Sequence, residues 1–154
     1  MTNNNFLFEN ILLVDDDHDD CFIFETALKQ LNPDLHFSCL TNSVLLDEHL
    51  AQNSPDLIFL DINMPRKNGF ECLQEIKSTV AHKAIPVIMY SNSARPQELE
   101  QAYQYGATLY LKKPSGYSDL VEALQEVLGT DLRQPHARAG TYFYKGRYLA
   151  ANAV

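Results

Sequence analysis

Acidic side chains follow two short apolar runs of the chain. Asp15, Asp16 and Asp17 come directly after the first run, and Asp61 comes directly after another one. Carboxylates that lie close together repel one another, and a hard divalent cation relieves this repulsion. A set of oxygen ligands favours Mg²⁺, which also accepts phosphate oxygens as ligands. A carboxylate beside such a metal can attack a phosphoryl group and form an acyl phosphate.

A hydroxyl and an ammonium group follow two further apolar runs. Ser91 ends one run, and the pair Lys112 and Lys113 precedes Pro114 after the next. A phosphoryl group in transfer carries spread negative charge, which positioned positive charge and hydrogen-bond donors stabilise. Lys113 is the candidate ammonium and Ser91 the candidate donor, whereas Lys112 is better explained as a solvated surface lysine.

Five predicted strands alternate with helical patterns along the chain, and this order positions the candidate residues. The strands are residues 11–14, 35–40, 57–60, 86–90 and 107–111. Four of them are apolar runs, whereas 35–40 alternates apolar and polar residues, as an edge strand with one wet face does. Strict alternation of strands and helices predicts a parallel sheet with helices on both faces. Ligands bind such sheets beyond the carboxyl ends of the strands, so the acids, Ser91 and Lys113 should meet at one edge. Ser43 is the predicted N-cap of the second helix.

Composition and charge exclude several classes of protein. The chain has 154 residues, is 45% hydrophobic and carries a net charge of −8, which fits one soluble domain and does not favour nucleic-acid binding. It has neither an apolar run of about 18 residues nor a secretory signal pattern, so we expect a cytoplasmic protein. Cys21, Cys39 and Cys72 are odd in number and widely spaced, and we interpret them as small buried hydrophobes rather than disulfide partners.

Taken together and in order, these motifs resemble the receiver domains of two-component response regulators, with single-domain CheY-like members most similar in length. The motifs are ILLVDDD at 11–17, LDINMP at 60–65 with Gly69 further on, MYS at 89–91 and YLKKP at 110–114. The resemblance covers residues 10 to about 129. It implies a flavodoxin-like (βα)5 fold of the α/β class, a doubly wound parallel sheet with strand order 2-1-3-4-5, and a receiver domain over residues 1–130.

The resemblance also implies roles for individual residues. Asp61 would accept a phosphoryl group from a histidine kinase or a histidine phosphotransfer protein. Asp15 and Asp16 would hold Mg²⁺ together with Asp61 and the backbone carbonyl of Asn63. Such a protein catalyses its own phosphorylation and dephosphorylation, and it is a signalling switch rather than a metabolic enzyme.

Further implied roles concern the response to phosphorylation. Lys113 would pair with Asp61 and then with the phosphoryl group, and Ser91 would donate a hydrogen bond to a phosphoryl oxygen. Tyr110 would change rotamer into the space that Ser91 leaves. Output would pass to a partner protein through the fourth helix, fifth strand and fifth helix, residues 95–128. The loop residues that match the family are Pro65, Gly69 and Pro114.

One departure from the family pattern supports a first alternative. Asn92 stands where the family has a small residue beside the phosphate, which leaves open a degenerate receiver that binds partners without phosphate. A second alternative is a phosphatase of the haloacid dehalogenase class, but those enzymes use a second Asp two residues after the nucleophile, and this chain has Asn63 there. A dinucleotide-binding enzyme is weaker still, since no G-x-G-x-x-G follows the first strand.

Residues 131–154 break the alternating pattern and form a C-terminal extension that is basic and aromatic. The basic residues are Arg133, Arg138, Lys145 and Arg147, and the aromatic ones are Tyr142, Phe143, Tyr144 and Tyr148. Because aromatic side chains are costly to leave in water, we favour an extension that docks on the body or on a second copy as a homodimer. Disorder and a basic contact for an acidic partner are the alternatives.

Overall fold

The computed structural model of the chain describes residues 6–132 and 140–150, and within them a seven-stranded sheet runs in the order β2-β1-β3-β4-β5-β6-β7. The strands are β1 Asn10–Val14, β2 His36–Leu40, β3 Leu57–Asp61, β4 Val87–Ser91, β5 Leu109–Lys112, β6 Thr141–Tyr144 and β7 Arg147–Ala150. The helices are α1 His18–Leu31, α2 Leu46–Gln52, α3 Gly69–Ser78, α4 Pro96–Gln104 and α5 Tyr117–Leu128. The first five strands are parallel, which confirms the doubly wound fold and the order 2-1-3-4-5.

Two apolar cores lie on opposite faces of this sheet. Phe24 of α1, Phe59 of β3 and Leu124 of α5 belong to one core, whereas Leu60 and Leu73 belong to the other, which α2, α3 and α4 cover. Neighbouring residues of β3 therefore point to opposite cores, as an unbroken apolar strand in a parallel sheet requires. Among the described residues, no helix has both the length and the apolar character needed to cross a membrane.

Side-chain caps mark the start of α1 and of the short 3-10 turn before α2. The second cap differs from the sequence prediction. Asp17 accepts hydrogen bonds from the backbone of Asp19 and Asp20 and caps α1. Ser43 was predicted to cap the second helix, but this is wrong, because Ser43 is buried and donates to the carbonyl of Lys67 at 2.6 Å. The preceding residue, Asn42, caps a short 3-10 turn over Ser43–Leu45 that leads into α2.

The C-terminal extension continues the sheet beyond β5. β6 pairs in parallel with β5 through Leu111 and Phe143, and β7 returns antiparallel beside β6. Phe143 is 1% exposed and belongs to the core beneath α1 and α5, whereas Tyr142 packs against the core on the other face. The Tyr103 hydroxyl of α4 donates to the Thr141 carbonyl at 2.7 Å. Residues 133–139 and 151–154 of the predicted extension lie outside the described residues.

Phe143 should hold the hairpin of β6 and β7 to the body. We expect Phe143→Ala to remove about 3 kcal/mol of the free energy that docks the hairpin on the body, since burying a phenylalanine contributes about that much. Hydrogen exchange of the β6 amides would then accelerate about a hundredfold. The control is Tyr148→Ala in the same hairpin, where 45% of the residue is already exposed and the expected change is about 1 kcal/mol. Equal acceleration in both variants would contradict this account.

Two of the three cysteines lie together, contrary to the sequence prediction. The structure joins Cys21 of α1 and Cys39 of β2 in a disulfide, with the two Cα atoms 6.0 Å apart. Cys72 is free and buried in the core beneath α2, α3 and α4. The prediction failed because the spacing of 18 residues carries no pairing signal by itself. Only the return of the chain from α1 into the edge strand β2 brings the two side chains together.

Candidate functional site at the carboxyl edge of the sheet

Three carboxylates gather where β1 and β3 end. Asp15, Asp16 and Asp61 each offer a carboxylate oxygen, and these oxygens all lie within 4.8 Å of one another. Asp15 and Asp61 are buried and Asp16 is exposed. One oxygen of Asp15 accepts a hydrogen bond from the Asp17 amide at 3.0 Å, which orients the carboxylate. The spacing and the all-oxygen donor set fit a hard divalent cation.

Lys113 reaches the acidic cluster from the end of β5. Its Nζ lies 3.0 Å from Asp15 Oδ2, 2.9 Å from Asp20 Oδ2 and 3.5 Å from Asp61 Oδ1. The side chain is 9% exposed and its ammonium lies 5.1 Å above the centre of the Tyr90 ring. The Lys113 amide also donates to the Ser91 carbonyl at 2.7 Å. The ammonium therefore partly neutralises the carboxylates of Asp15, Asp20 and Asp61.

Ser91 and Tyr110 lie on neighbouring strands behind the cluster. Both are fully buried. The Tyr110 hydroxyl donates to the Ser93 carbonyl at 2.7 Å, and the Ser93 amide lies 3.3 Å from Ser91 Oγ. Tyr110 thus already occupies an enclosed position beside the loop that follows Ser91, and its predicted change of rotamer stays a prediction.

The loop after β3 requires a glycine. A Cβ atom on Gly69 would lie 2.2 Å from the backbone oxygen of Asp61, a distance that no side chain can tolerate. The Gly69 amide donates to the Ile62 carbonyl at 2.9 Å, and this close approach folds the loop back beneath Asp61. Asn63 and Pro65 lie exposed between them. The role of the Asn63 carbonyl as a ligand stays a prediction.

Burial and charge shift the acidities of the site in opposite ways. Burial raises the pKa of Asp61 from its ordinary 3.8 to about 6; the Lys113 charge lowers it, and Asp15 and Asp16 raise it further. Burial also raises the pKa of Asp15, against the Asp17 amide and Lys113, which lower it. Burial alone would lower the pKa of Lys113, but its carboxylate partners raise it above the ordinary value. Lys113 is therefore charged at neutral pH, whereas the pKa of Asp61 lies about one unit below neutral pH.

The pKa of Asp61 gives the metal-free protein a defined pH dependence. The folded carboxyl keeps its proton up to about pH 6, whereas the unfolded one loses it near 3.8. The protonated Asp61 carboxyl therefore adds its full contribution to the free energy of unfolding below about pH 3.8, and this contribution is lost as the pH rises through about 6. A shift of about two pKa units corresponds to about 2–3 kcal/mol.

Urea unfolding with EDTA at pH 4 and pH 7.5 would measure this effect. We expect Asp61→Asn to be more stable than the wild type by about 2–3 kcal/mol at pH 7.5, with the difference shrinking as the pH falls. A difference that is the same at both pH values would contradict the raised pKa of Asp61.

One polar contributor was missed by the sequence reasoning. Asp20 was not among the predicted site residues, yet it accepts the shortest hydrogen bond from Lys113. Ser93 links the site to α4, because its hydroxyl donates to Glu98 Oε1 at 2.7 Å. Asn92 is exposed. The sequence signal for Asp20 was its place one helical turn after Asp16 and Asp17, but its direction depends on the packing of α1.

The fold and the site together define a class: a doubly wound α/β protein whose acids, hydroxyl and ammonium converge at the carboxyl edge of its sheet. The sequence profile described as "Response regulator receiver domain" matches residues 11–125. The chain is 31% identical over 124 residues to response regulator Rcp1 of Synechocystis sp. (strain ATCC 27184 / PCC 6803 / Kazusa), covering 76% of this chain and 84% of that protein. The chain belongs to the family of response regulator receiver domains.

Solved structures of relatives superpose closely on this fold. The phosphorylated cyanobacterial phytochrome response regulator RcpA is 28% identical, with a TM-score of 0.72 over 78% of this chain and 91% of that one. The Mn²⁺-bound form of response regulator Rcp1 is 30% identical, with a TM-score of 0.69 over 77% of this chain and 91% of that one. These are the expected relatives of a phosphorylation-based signalling switch.

Proposed function

We propose that this chain is the phosphoacceptor switch of a two-component phosphorelay and that Asp61 takes the phosphoryl group. The observation that carries the proposal is the placement of the Asp61 carboxylate, which is 7% exposed, between two further acids and the Lys113 ammonium. We assign the receiver unit to residues 1–130 and treat residues 131–154 as an appended extension.

Asp61 is the nucleophile of the proposed reaction. A carboxylate oxygen attacks phosphorus, the bond from phosphorus to the donor's imidazole nitrogen breaks, and the imidazole leaves with the electron pair and takes up a proton. The Lys113 ammonium then pairs with the new phosphoryl oxygens, and the Ser91 hydroxyl donates to one of them after a small movement. Both groups stabilise the charge that spreads over the oxygens during transfer.

Asp15, Asp16 and Asp61 would hold Mg²⁺, with the Asn63 carbonyl as a further ligand. The metal supplies charge neutralisation between the carboxylates and the incoming phosphoryl oxygens. Two observations support this assignment: the oxygens lie within 4.8 Å of one another, and the relative Rcp1 has a Mn²⁺-bound form.

Exposed apolar side chains beside the cluster favour a protein as the phosphodonor. Phe22 is 74% exposed and Ile23 44% exposed on α1, directly after the helix turn that carries Asp20. Large apolar side chains left in water next to a reactive site are typical of a protein contact. A histidine kinase or a histidine phosphotransfer protein that docks on α1 would bring its phosphohistidine to Asp61.

The hairpin of β6 and β7 changes the surface that is available to an output partner. The predicted face of α4, β5 and α5 is interrupted, since β6 covers the edge of β5 and Lys112 lies 4.9 Å above the ring centre of Tyr144. The partner would therefore meet α4, the hairpin and α5 as one surface. Ser93 and Tyr110 connect this surface to the phosphorylation site through the hydrogen bonds described above.

Intact-mass spectrometry with acetyl phosphate, with and without Mg²⁺, tests the proposal. We expect one phosphoryl group per chain, and only with the metal. No added phosphoryl group would favour the degenerate receiver, whereas continuous release of phosphate from varied esters would favour the phosphatase.

A further inference from the structure

Cys21 and Cys39 form a covalent link between two elements that the phosphorelay chemistry does not use. Cys21 lies in the first turn of α1 and Cys39 lies in β2. Their Cα separation of 6.0 Å falls in the normal range for a disulfide. Cys72 lies in the core on the opposite face of the sheet, so it is not a partner for either of them.

The link lies directly behind the acidic cluster. The sulfur atoms of Cys21 and Cys39 are 3.6 and 4.0 Å from the backbone oxygen of Asp15. The Asp15 amide donates to the carbonyl of Leu40, the residue after Cys39. Cys21 in turn follows Asp20, which binds Lys113. The disulfide therefore joins the two chain segments that hold Asp15 in place.

We propose that Cys21 and Cys39 are a site of reversible oxidation whose state controls metal binding at the acidic cluster. A small disulfide such as oxidised glutathione supplies the oxidising equivalents. One cysteine thiolate attacks it and releases one glutathione thiol, and the second cysteine then displaces the other from the mixed disulfide. Two protein thiols are oxidised to one disulfide, and one glutathione disulfide is reduced to two thiols. Cys39 is half-buried rather than sealed in the core, so it is the accessible member of the pair.

The geometry of the acids gives the direction of the effect. The Lys113 ammonium contacts the carboxylates of Asp15 and Asp61 at 3.0 and 3.5 Å, whereas Mg²⁺ holds its oxygen ligands at about 2.1 Å. The segment that carries Asp15 and Asp16 must therefore shift when the metal binds between these carboxylates. A covalent tether from α1 to β2 restrains that shift, whereas two thiols do not. The oxidised form should bind Mg²⁺ more weakly, by about fivefold; this step rests on the proposed function.

Thiol counting tests the oxidation site independently of the proposed function. The full chain is treated with oxidised glutathione or with dithiothreitol, then denatured, alkylated and weighed. We expect one alkyl group after oxidation and three after reduction, and none and two respectively in Cys72→Ala. Three alkyl groups after oxidation, or a disulfide between two chains, would overturn the proposal.

Calorimetric titration with Mg²⁺ tests the coupling. We expect the oxidised wild type and the oxidised Cys72→Ala variant to bind about fivefold more weakly than their reduced forms. Cys39→Ser and Cys39→Ala should match the reduced wild type whether or not glutathione disulfide is present. Equal affinities of the two wild-type forms would overturn the coupling and leave the proposed function intact. Failure of both forms to bind Mg²⁺ would overturn the coupling and also the proposed metal site.

Discussion

Asp61→Asn should abolish the phosphoryl label that acetyl phosphate and Mg²⁺ leave on the wild-type chain. An amide oxygen is a far weaker nucleophile than a carboxylate, so the expected loss is complete within the detection limit of intact-mass spectrometry. The neighbouring acids are poor substitutes. Asp15 is held by the Asp17 amide and by Lys113 and is 0% exposed, whereas Asp61 keeps 7% of its surface exposed to an incoming phosphodonor.

The matched control is Asp56→Asn at the opposite edge of the sheet. The Asp56 carboxylate accepts hydrogen bonds from the amides of Glu9 and Asn10 at 2.9 and 3.1 Å, so the substitution makes the same chemical change far from the site. We expect this variant to take the label as the wild type does. Label that persists in Asp61→Asn, mapped by peptide analysis to another residue, would move the acceptor.

Four of the first five strands were predictable because a strand buried on both faces of a parallel sheet is an unbroken apolar run. The edge strand β2 was predicted instead from its alternation of apolar and polar residues. Leu57 to Leu60 point alternately to two cores and are all buried. The last two strands were not predicted. The turn between them consists of Lys145 and Gly146. Both residues have positive φ, 50° and 77°, as a two-residue hairpin turn requires. Their place in the sheet could not be predicted from the sequence, because β6 pairs with β5 through Leu111 and Phe143, which are separated in the chain by the whole of α5.

The site residues that follow strands were predictable from the sequence, whereas those on helices were not. Asp15, Asp61, Ser91 and Lys113 were predictable because each follows a parallel strand, and the carboxyl ends of parallel strands share an edge. The partners that come from helices depend on how those helices pack. Asp20 meets Lys113 only because α1 presents its first turn to the end of β5, so its position in the sequence did not identify it as part of the site.

Lys113→Met should uncouple metal binding from phosphoryl transfer. Methionine keeps much of the side-chain volume beside the Tyr90 ring but removes the ammonium that contacts Asp15, Asp20 and Asp61. We expect labelling by acetyl phosphate to slow by about a hundredfold, since a positioned charge on the transferring group is worth about that much. We also expect tighter Mg²⁺ binding, because the lysine no longer competes with the metal for Asp15.

Stability should change in a way that depends on pH. Removing one member of a buried ion cluster costs up to about 3–5 kcal/mol; we expect about 2 kcal/mol at pH 7.5, because 36% of the Asp20 side chain is exposed. The loss should shrink towards pH 5, since without Lys113 the raised pKa of Asp61 rises further and protonation removes the repulsion.

The control for both measurements is Lys112→Met. Lys112 is the adjacent residue on β5, and its ammonium lies over Tyr144 of the hairpin rather than beside the carboxylates. We expect Lys112→Met to label and bind Mg²⁺ as the wild type does. If Lys113→Met lost metal affinity together with labelling, Lys113 would act by holding the acids in place. Tighter binding with slower labelling would instead show that its charge acts on the phosphoryl group itself.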